Sequence, residues 1–355
     1  METATRTDLD WVLAPLAGYT DVAFRRACRR HGCRTAYAPL IDACALVYGN
    51  RHNREILARG PDEGWLGVQL LGCDPAMMAR AAALLREMAF DAIDINMGCP
   101  VGKVMRKGAG AALPRDAELA LRCVEAVWRE SRGRPVSVKM RVLVEEDSEP
   151  TVTFARRLEE AGVSALTIHG RTWKRVYTGP VAAGTIRAVR EALRIPVVAN
   201  GGIFSRADGL RLAQATGCQA LMVARGAIGN PWIFRELVAG QVAPPSHEEL
   251  CETLREHVEG MVALYGEGAA LREGRKIILA YLCGRGYHRS LRASVSKVCA
   301  LADFRELFVR IQADAPPAAP ASYRSRPPLE VVGTAGGCRT PTPAPPPAPG
   351  AGREA

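Results

Sequence analysis

The sequence predicts an α/β chain: a (β/α)8 TIM barrel, then a small all-helical domain, then a disordered C-terminal tail. Three observations carry this prediction. Eight short β-type runs alternate with amphipathic helical stretches up to about residue 238, and such alternation builds a parallel sheet. Convincing strand signals then stop at Pro244-Pro245. From Ala313 onward the composition collapses into Pro, Ala, Gly and Thr, with 11 of the chain's 24 prolines. The divisions that follow are residues 1–240, 245–312 and 313–355.

The candidate strands are Val12–Leu16, Thr35–Leu40, Leu66–Leu71, Ala92–Asn96, Val136–Arg141, Ala165–His169, Val197–Asn200 and Ala220–Ala224. Eight units in about 230 residues come close to the ~250 usual for a closed barrel. An open doubly wound sheet is the alternative, but no Gly-x-Gly-x-x-Gly follows the first strand. Among the helices, Asp74–Met88 starts on an Asp N-cap with Pro at the first helical position. Asp116–Arg129, Thr151–Ala161, Gly184–Ala192 and Arg206–Ala215 follow the same logic, with Gly162 and Gly217 where a helix C-cap is expected. Beyond the proline pair, Glu248–Tyr265, Leu271–Leu282 and Ala293–Ile311 read as helices. The tail has too few large apolar residues to offset its ordering entropy.

Bulk properties narrow the class. A net charge of +10 suits an anionic partner such as nucleic acid, or simply a solvated surface. Eleven cysteines without paired spacing argue for reduced thiols in the cytoplasm, and against a disulfide framework or a metal site. Met1–Asp10 has no apolar core, so no signal peptide is expected, and no apolar run nears the ~18 residues of a membrane span.

A barrel of this kind carries its site at the C-terminal ends of its strands. There the sequence supplies Pro15, Leu16 and Ala17, then Gln69, then Asn96 and Cys99, then Lys139, His169, Asn200-Gly201-Gly202 and Ala224-Arg225. Cys99 lies in the segment Asp-Ile-Asn-Met-Gly-Cys-Pro and precedes Lys103, Arg106 and Lys107. A thiol in a cationic glycine loop is poised for chemistry, although a free Cys is also a common core residue. Likewise Lys139 alone suits a snorkelling surface chain, His169 a core histidine and the glycines a tight turn. Convergence on one rim favours a shared site. The last two strand ends suit a phosphate, held by glycine backbone N–H groups with Arg225 as charge partner. Gln69 and Lys139 suit a flat carbonyl-bearing ring. FMN meets these constraints, and so does a sugar phosphate.

Taken together the motifs resemble the tRNA-dihydrouridine synthase family, in the form most similar to its bacterial B-type branch. They are Ala-Pro-Leu-Ala-Gly-Tyr-Thr-Asp (14–21), Asp-Ile-Asn-Met-Gly-Cys-Pro (94–100), Val-Lys-Met-Arg (138–141), Leu-Thr-Ile-His-Gly-Arg-Thr (166–172), Val-Ala-Asn-Gly-Gly-Ile (198–203), Ala-Arg-Gly-Ala (224–227) and Asn-Pro-Trp-Ile-Phe (230–234). The resemblance implies an FMN-binding catalytic barrel and a tRNA-binding helical domain, acting as a monomer. It implies FMN contacts at Pro15, Leu16, Ala17, Gln69, Lys139 and His169, with the phosphate at Asn200, Gly201, Gly202, Ala224 and Arg225. NADPH, or NADH, would reduce the flavin, hydride would reach C6 of a uracil base, and Cys99 would protonate C5. An ordinary thiol, with a pKa of about 8.5, is mostly protonated at neutral pH and can serve as that acid. The base would be flipped out of the tRNA. Asn96, Lys103, Arg106, Lys107, Arg171, Arg275 and Lys276 would contact the RNA. The alternative is an FMN-dependent dehydrogenase of a free pyrimidine, similar to dihydroorotate dehydrogenase. Two departures stand out. The second strand end reads Tyr37-Ala38-Pro39-Leu40-Ile41 where the family usually has an acidic residue followed by Met, and Gly202 replaces the family's usual Asp.

Overall fold

The structure is a computed structural model and describes residues 9–315 except 51, 62 and 241–243. Eight parallel strands form a closed barrel: β1 Asp10–Leu13, β2 Thr35–Asp42, β3 Leu66–Leu71, β4 Ala92–Met97, β5 Val136–Arg141, β6 Ala165–His169, β7 Val197–Asn200 and β8 Ala220–Val223. They pair in chain order, and β8 closes on β1. The expected strands are all present, with corrections at their ends. β1 stops at Leu13 because Pro15 has no N–H for the ladder. β2 runs on to Asp42 through a register shift between Tyr37 and Leu40. A bulge is where a strand tolerates a proline such as Pro39.

Side chains alternate across each strand. On β4, Ile93, Ile95 and Met97 join the large apolar cluster shared with the surrounding helices. Ala92, Asp94 and Asn96 therefore face the barrel interior. The floor of that interior is apolar, a small separate cluster of Val12, Ala14, Tyr37 and Met222. Tyr37 fits only because β3 carries Gly67, where a Cβ would lie 2.4 Å from the tyrosine ring. Above this plug the inward positions turn polar, with Gln69, Asp94, Ser137, Thr167 and His169 all buried.

The outer helices follow their caps. Asp74 accepts from the Ala76 and Met77 amides at the start of Pro75–Arg86, and Asp116 from Leu119 N at the start of Ala117–Ser131. Glu149–Glu160, Ala183–Ala192 and Arg206–Thr216 complete the expected set. Gly162 (φ 93°) and Gly217 (φ 73°) end two of them in the left-handed conformation glycine favours.

After Ser246 the helices His247–Tyr265 and Glu267–Leu282 pack as a hairpin. The single helix expected over 293–311 is a correction. It divides into Arg289–Ser294, a 3-10 turn at Val295–Lys297, and Leu301–Ala313. The break follows from Asp303, whose Oδ2 accepts from both Cys299 N and Ala300 N at 2.8 Å and so starts a new helix. These helices share an apolar cluster with Ala23 and Trp232 from the barrel side. A Cβ on Gly229 would lie 2.4 Å from the Ala280 backbone. The helical region is thus seated directly beside the loop that follows β8. Among the described residues no helix is long and apolar enough to cross a membrane. The expected disordered tail, beyond Ala315, and the N-terminal segment to residue 8 lie outside the described residues.

Candidate active site at the barrel mouth

The loop bearing Cys99 is tethered by backbone contacts. Asn96, at the end of β4, accepts through Oδ1 from Gly98 N at 3.1 Å and Cys99 N at 2.9 Å, a side-chain turn typical of Asn. The Cys99 carbonyl accepts from Ala111 N at 2.9 Å. That contact requires Gly110, where φ is 61° and a Cβ would lie 2.6 Å from the Cys99 carbonyl oxygen. Arg141 Nε donates to Gly98 O at 2.7 Å. The thiol itself is free and half-buried. Lys103, Arg106 and Lys107 follow on an exposed turn.

Beneath Cys99 the inward positions of β3, β4 and β5 are joined. Asn96 Nδ2 donates to Gln69 Oε1 at 2.7 Å, and Gln69 Nε2 donates to Asp94 Oδ2 at 2.6 Å. Ser137 Oγ donates to Asp94 Oδ1 at 2.6 Å. Lys139 Nζ donates to Asn200 Oδ1 at 2.9 Å, and Asn200 Nδ2 donates to Met222 O at 2.7 Å. Burial pushes the Asp94 carboxyl up to about 6. Burial, aided by Arg141, brings Lys139 down to about 8. Burial and the surrounding cations Lys139, Arg141, Arg171 and Arg225 hold His169 far below the usual imidazole range, so it is a neutral ring.

The opposite side of the mouth is lined by glycine backbone and arginine side chains. Gly201 (φ 135°) and Gly202 (φ 71°) bare the backbone after β7. The loops after β7 and β8 touch because a Cβ on Gly226 would fall 2.3 Å from Ile203 O. His169 lies against Gly201, and Arg171 against Gly202. Arg171 Nε donates to Gly179 O at 2.9 Å, while its Nη1 is buried with no hydrogen-bond partner. A buried guanidinium N–H without an acceptor is costly and suits an anionic ligand. Arg225 stacks over Tyr177 at 4.0 Å. Tyr177 follows Val176, a β-branched residue at φ 50° whose carbonyl accepts from Arg141 Nη1 at 2.9 Å. The loop after β6 is thereby bound to β5.

The structure thus brings Gln69, Asn96, Cys99, Lys139, His169, Asn200, Gly201, Gly202 and Arg225 to one rim. Ala224 immediately precedes the turn Arg225–Ala227. Pro15, Leu16 and Ala17 form the rim above β1, where Leu16 O accepts from Tyr19 N and Thr20 N. Lys276 reaches that same edge, 4.9 Å over the Tyr19 ring. Four residues expected to contact RNA divide by exposure. Lys103 and Lys107 are open to solvent, whereas Asn96 and Arg171 are buried at 6% and 9%. Arg275 turns into its own region, with Nε on Val298 O at 2.7 Å and Nη2 on Cys299 Sγ at 2.9 Å. Sequence reasoning missed Asp94, Ser137, Arg141 and Tyr177 as site residues. The first three were within its reach, since each lies two residues from an assigned inward position. Tyr177 sits in an irregular loop and has no such signal. Among the described residues no group of His, Cys, Asp and Glu could hold a metal ion.

The sequence matches the family described as Dihydrouridine synthase (Dus) over residues 12–315. It is 38% identical to the tRNA-dihydrouridine synthase B of Pseudomonas aeruginosa over 292 residues, 81% of this chain and 88% of that protein. With the tRNA-dihydrouridine synthase B of Xanthomonas axonopodis pv. citri it shares 36% identity over 316 residues, covering 86% and 95%. A 2.1 Å structure of histamine dehydrogenase from Rhizobium sp. 4-9 aligns with a TM-score of 0.51 at 12% identity, over 70% of this chain and 48% of that one. This last likeness is one of fold alone.

Proposed function

The chain belongs to the dihydrouridine synthase family, and from that premise we propose that it reduces a uridine of tRNA to 5,6-dihydrouridine, with FMN bound in the barrel and NADPH as reductant. The observation that carries this reading is the pairing on one rim of a tethered thiol loop with a glycine and arginine anion cradle. The residues present fit FMN. The buried, partnerless Arg171 Nη1 beside Gly202 suits a phosphate, as do the bare backbone of Gly201 and the guanidinium of Arg225. Gln69, Lys139 and the segment Pro15, Leu16 and Ala17 would hold the ring.

When bound, FMN supplies the hydride that reaches C6 of the uracil ring. Cys99 holds the proton that goes to C5. Its backbone is fixed by Asn96 and Arg141, so the thiol is delivered to one place, which is where general acid catalysis gains its rate. Burial and the surrounding cations keep His169 neutral, so it does not compete as a cationic acid. Lys139, still largely protonated at neutral pH, would supply positive charge to the bound ring. Lys103, Arg106, Lys107 and Lys276 line the approach and suit the RNA backbone. We further assign residues 1–240 as the catalytic unit and 245–312 as the RNA-binding one. We also assign a monomer, and the substrate points to the cytoplasm.

The purified protein should be yellow and should restore dihydrouridine to hypomodified tRNA when given NADPH. Cys99→Ala should still bind FMN and accept electrons from NADPH, yet lose at least about a hundredfold in tRNA turnover, the usual scale of a general acid. Full turnover in that variant would remove Cys99 from the acid role. A colourless protein that FMN does not reconstitute would sink the whole reading.

A further inference from the structure

Among the described residues Asp94 is the one carboxylate in the barrel interior that hydrogen-bonds to the site residues, and the function proposed above gives it no part. It lies at the same register as Gln69 on β3 and Ser137 on β5. Its two oxygens accept from Gln69 Nε2 and Ser137 Oγ, both at 2.6 Å. Gln69 then accepts from Asn96 Nδ2 at 2.7 Å, and Asn96 accepts from the amides of Gly98 and Cys99. The side chains of Gln69, Asp94, Asn96 and Ser137 are all buried to 6% exposure or less.

We propose that Asp94 is a positioning residue for Cys99: as the acceptor-only end of a relay through Gln69 and Asn96, it fixes which way both amides face and so holds the backbone of the thiol loop.

Amide side chains are nearly symmetric in shape. A buried Gln or Asn can turn its C=O and NH2 ends over with little change of shape, so its orientation must be set by its partners. An ionised carboxylate offers no donor. It therefore compels Gln69 to present NH2 downward and C=O upward. That carbonyl compels Asn96 to present NH2 to Gln69, which leaves the Asn96 carbonyl for the loop amides. At the far end two backbone N–H groups demand an acceptor, so the polarity is consistent along the whole chain. Were Gln69 reversed, Asn96 would have to reverse too, and its NH2 would meet the N–H groups of Gly98 and Cys99. Asp94 remains a carboxylate at neutral pH, since burial lifts it only to about 6. Ser137, hydrogen-bonded in turn near Tyr37 Oη at 3.5 Å, holds the second oxygen so that Asp94 cannot rotate away.

The consequence for catalysis rests on the role proposed for Cys99, but the relay can be tested without turnover. Amide hydrogen exchange of the full chain, with neither tRNA nor NADPH present, reads the loop directly. Asp94→Leu removes the acceptor and keeps the branching at Cγ, and Gln69→Leu cuts the relay one step higher. Each should speed exchange at Gly98 and Cys99 at least about tenfold while Ile93 and Ile95 keep their rates. Alkylation of Cys99 by iodoacetamide should change in parallel. Asp94→Asn can still face an oxygen to Gln69 and an NH2 to Ser137, so it should restore the loop to within about threefold. Unchanged exchange at Gly98 and Cys99 in a folded Asp94→Leu protein overturns the relay, and so does acceleration spread evenly over β4. The unaltered protein offers a further check if the leucine variants fail to fold. The relay requires slow exchange of the Gln69 and Asn96 side-chain NH2 groups, and fast exchange there refutes it. A fully active Cys99→Ala protein alongside an intact relay would overturn the proton-donor role and leave the positioning role standing.

Discussion

Asp94 is also where stability and pH meet at the scale of one residue. Its carboxyl moves from 3.8 in an open chain to about 6 in the fold, with burial as the largest cause. The folded state therefore binds the proton more tightly than the unfolded state. The associated stability is fully present below pH 3.8 and is lost as pH rises through about 6. The total is about 3 kcal/mol, of which about 2 kcal/mol falls between roughly pH 4.5 and 7.5. Asp94→Asn cannot titrate. Its stability relative to the unaltered protein should rise by about 2 kcal/mol across that interval, read from urea unfolding at the two ends. A pH-independent difference would show that the carboxylate is not desolvated as described. The barrel thus keeps a charged group where a neutral one is more stable, as is common where the interior serves chemistry instead of packing.

At the scale of elements, glycines decide how closely neighbouring loops approach. Gly226 has no room for a side chain, with a Cβ 2.3 Å from Ile203 O and 3.0 Å from Ile233 Cδ1. Gly226→Ala must drive the loops after β7 and β8 apart. It should cost about 1–3 kcal/mol, as overpacking usually does, and weaken FMN binding at least about tenfold. Gly184→Ala is the matched control. It sits in the helix Ala183–Ala192 with nothing within 4 Å of a Cβ, so it should leave binding intact and add up to about 1 kcal/mol. Equal flavin affinities in the two variants would mean that the cradle does not depend on this contact. The elements themselves were largely legible in the sequence, because apolar runs and Asp caps act locally. Strand ends yielded Gln69, Lys139, His169 and Asn200 for the same reason. What could not be read there depends on partners far along the chain. Arg25 would be taken for a surface residue of the helix Val22–Arg30, yet it is fully buried, donating to both oxygens of Glu63 and to the carbonyls of Thr20 and Ala58. Arg171 was assigned to RNA by its motif, and the fold buries it beside Gly202. The helix break at Val298–Ala300 depends on Asp303 capping backwards, which an apolar pattern over 293–311 conceals.

For the molecule as a whole, the excess of +10 becomes a question of where the charges stand. The barrel mouth gathers Lys139, Arg141, Arg171 and Arg225 around His169, and the Arg141 guanidinium is engaged by the carbonyls of Gly98, Arg171, Thr172 and Val176. Exposed cations stand outside this ring at Lys103, Arg106 and Lys107 beside the thiol loop, while Lys276 over Tyr19 is ion-paired with Glu273 at 2.5 Å. Each phosphate contact releases counterions, so a lost contact lowers both affinity and its salt dependence. Lys103→Ala combined with Lys107→Ala should weaken tRNA binding and flatten the log Kd against log salt slope by about 0.7–0.9 for each phosphate contact removed. Turnover at saturating tRNA should stay near that of the unaltered enzyme, because neither lysine touches the cradle or the relay. Arg275→Ala should behave differently. Arg275 holds Val298 O and Cys299 Sγ, so its loss should lower the melting temperature and leave the salt slope unchanged. Filter binding or fluorescence anisotropy over a salt series distinguishes the two. An unaltered slope in the double lysine variant would place the RNA on another face of the barrel. A flattened slope in the Arg275 variant would mean that this guanidinium leaves its carbonyl to reach the RNA.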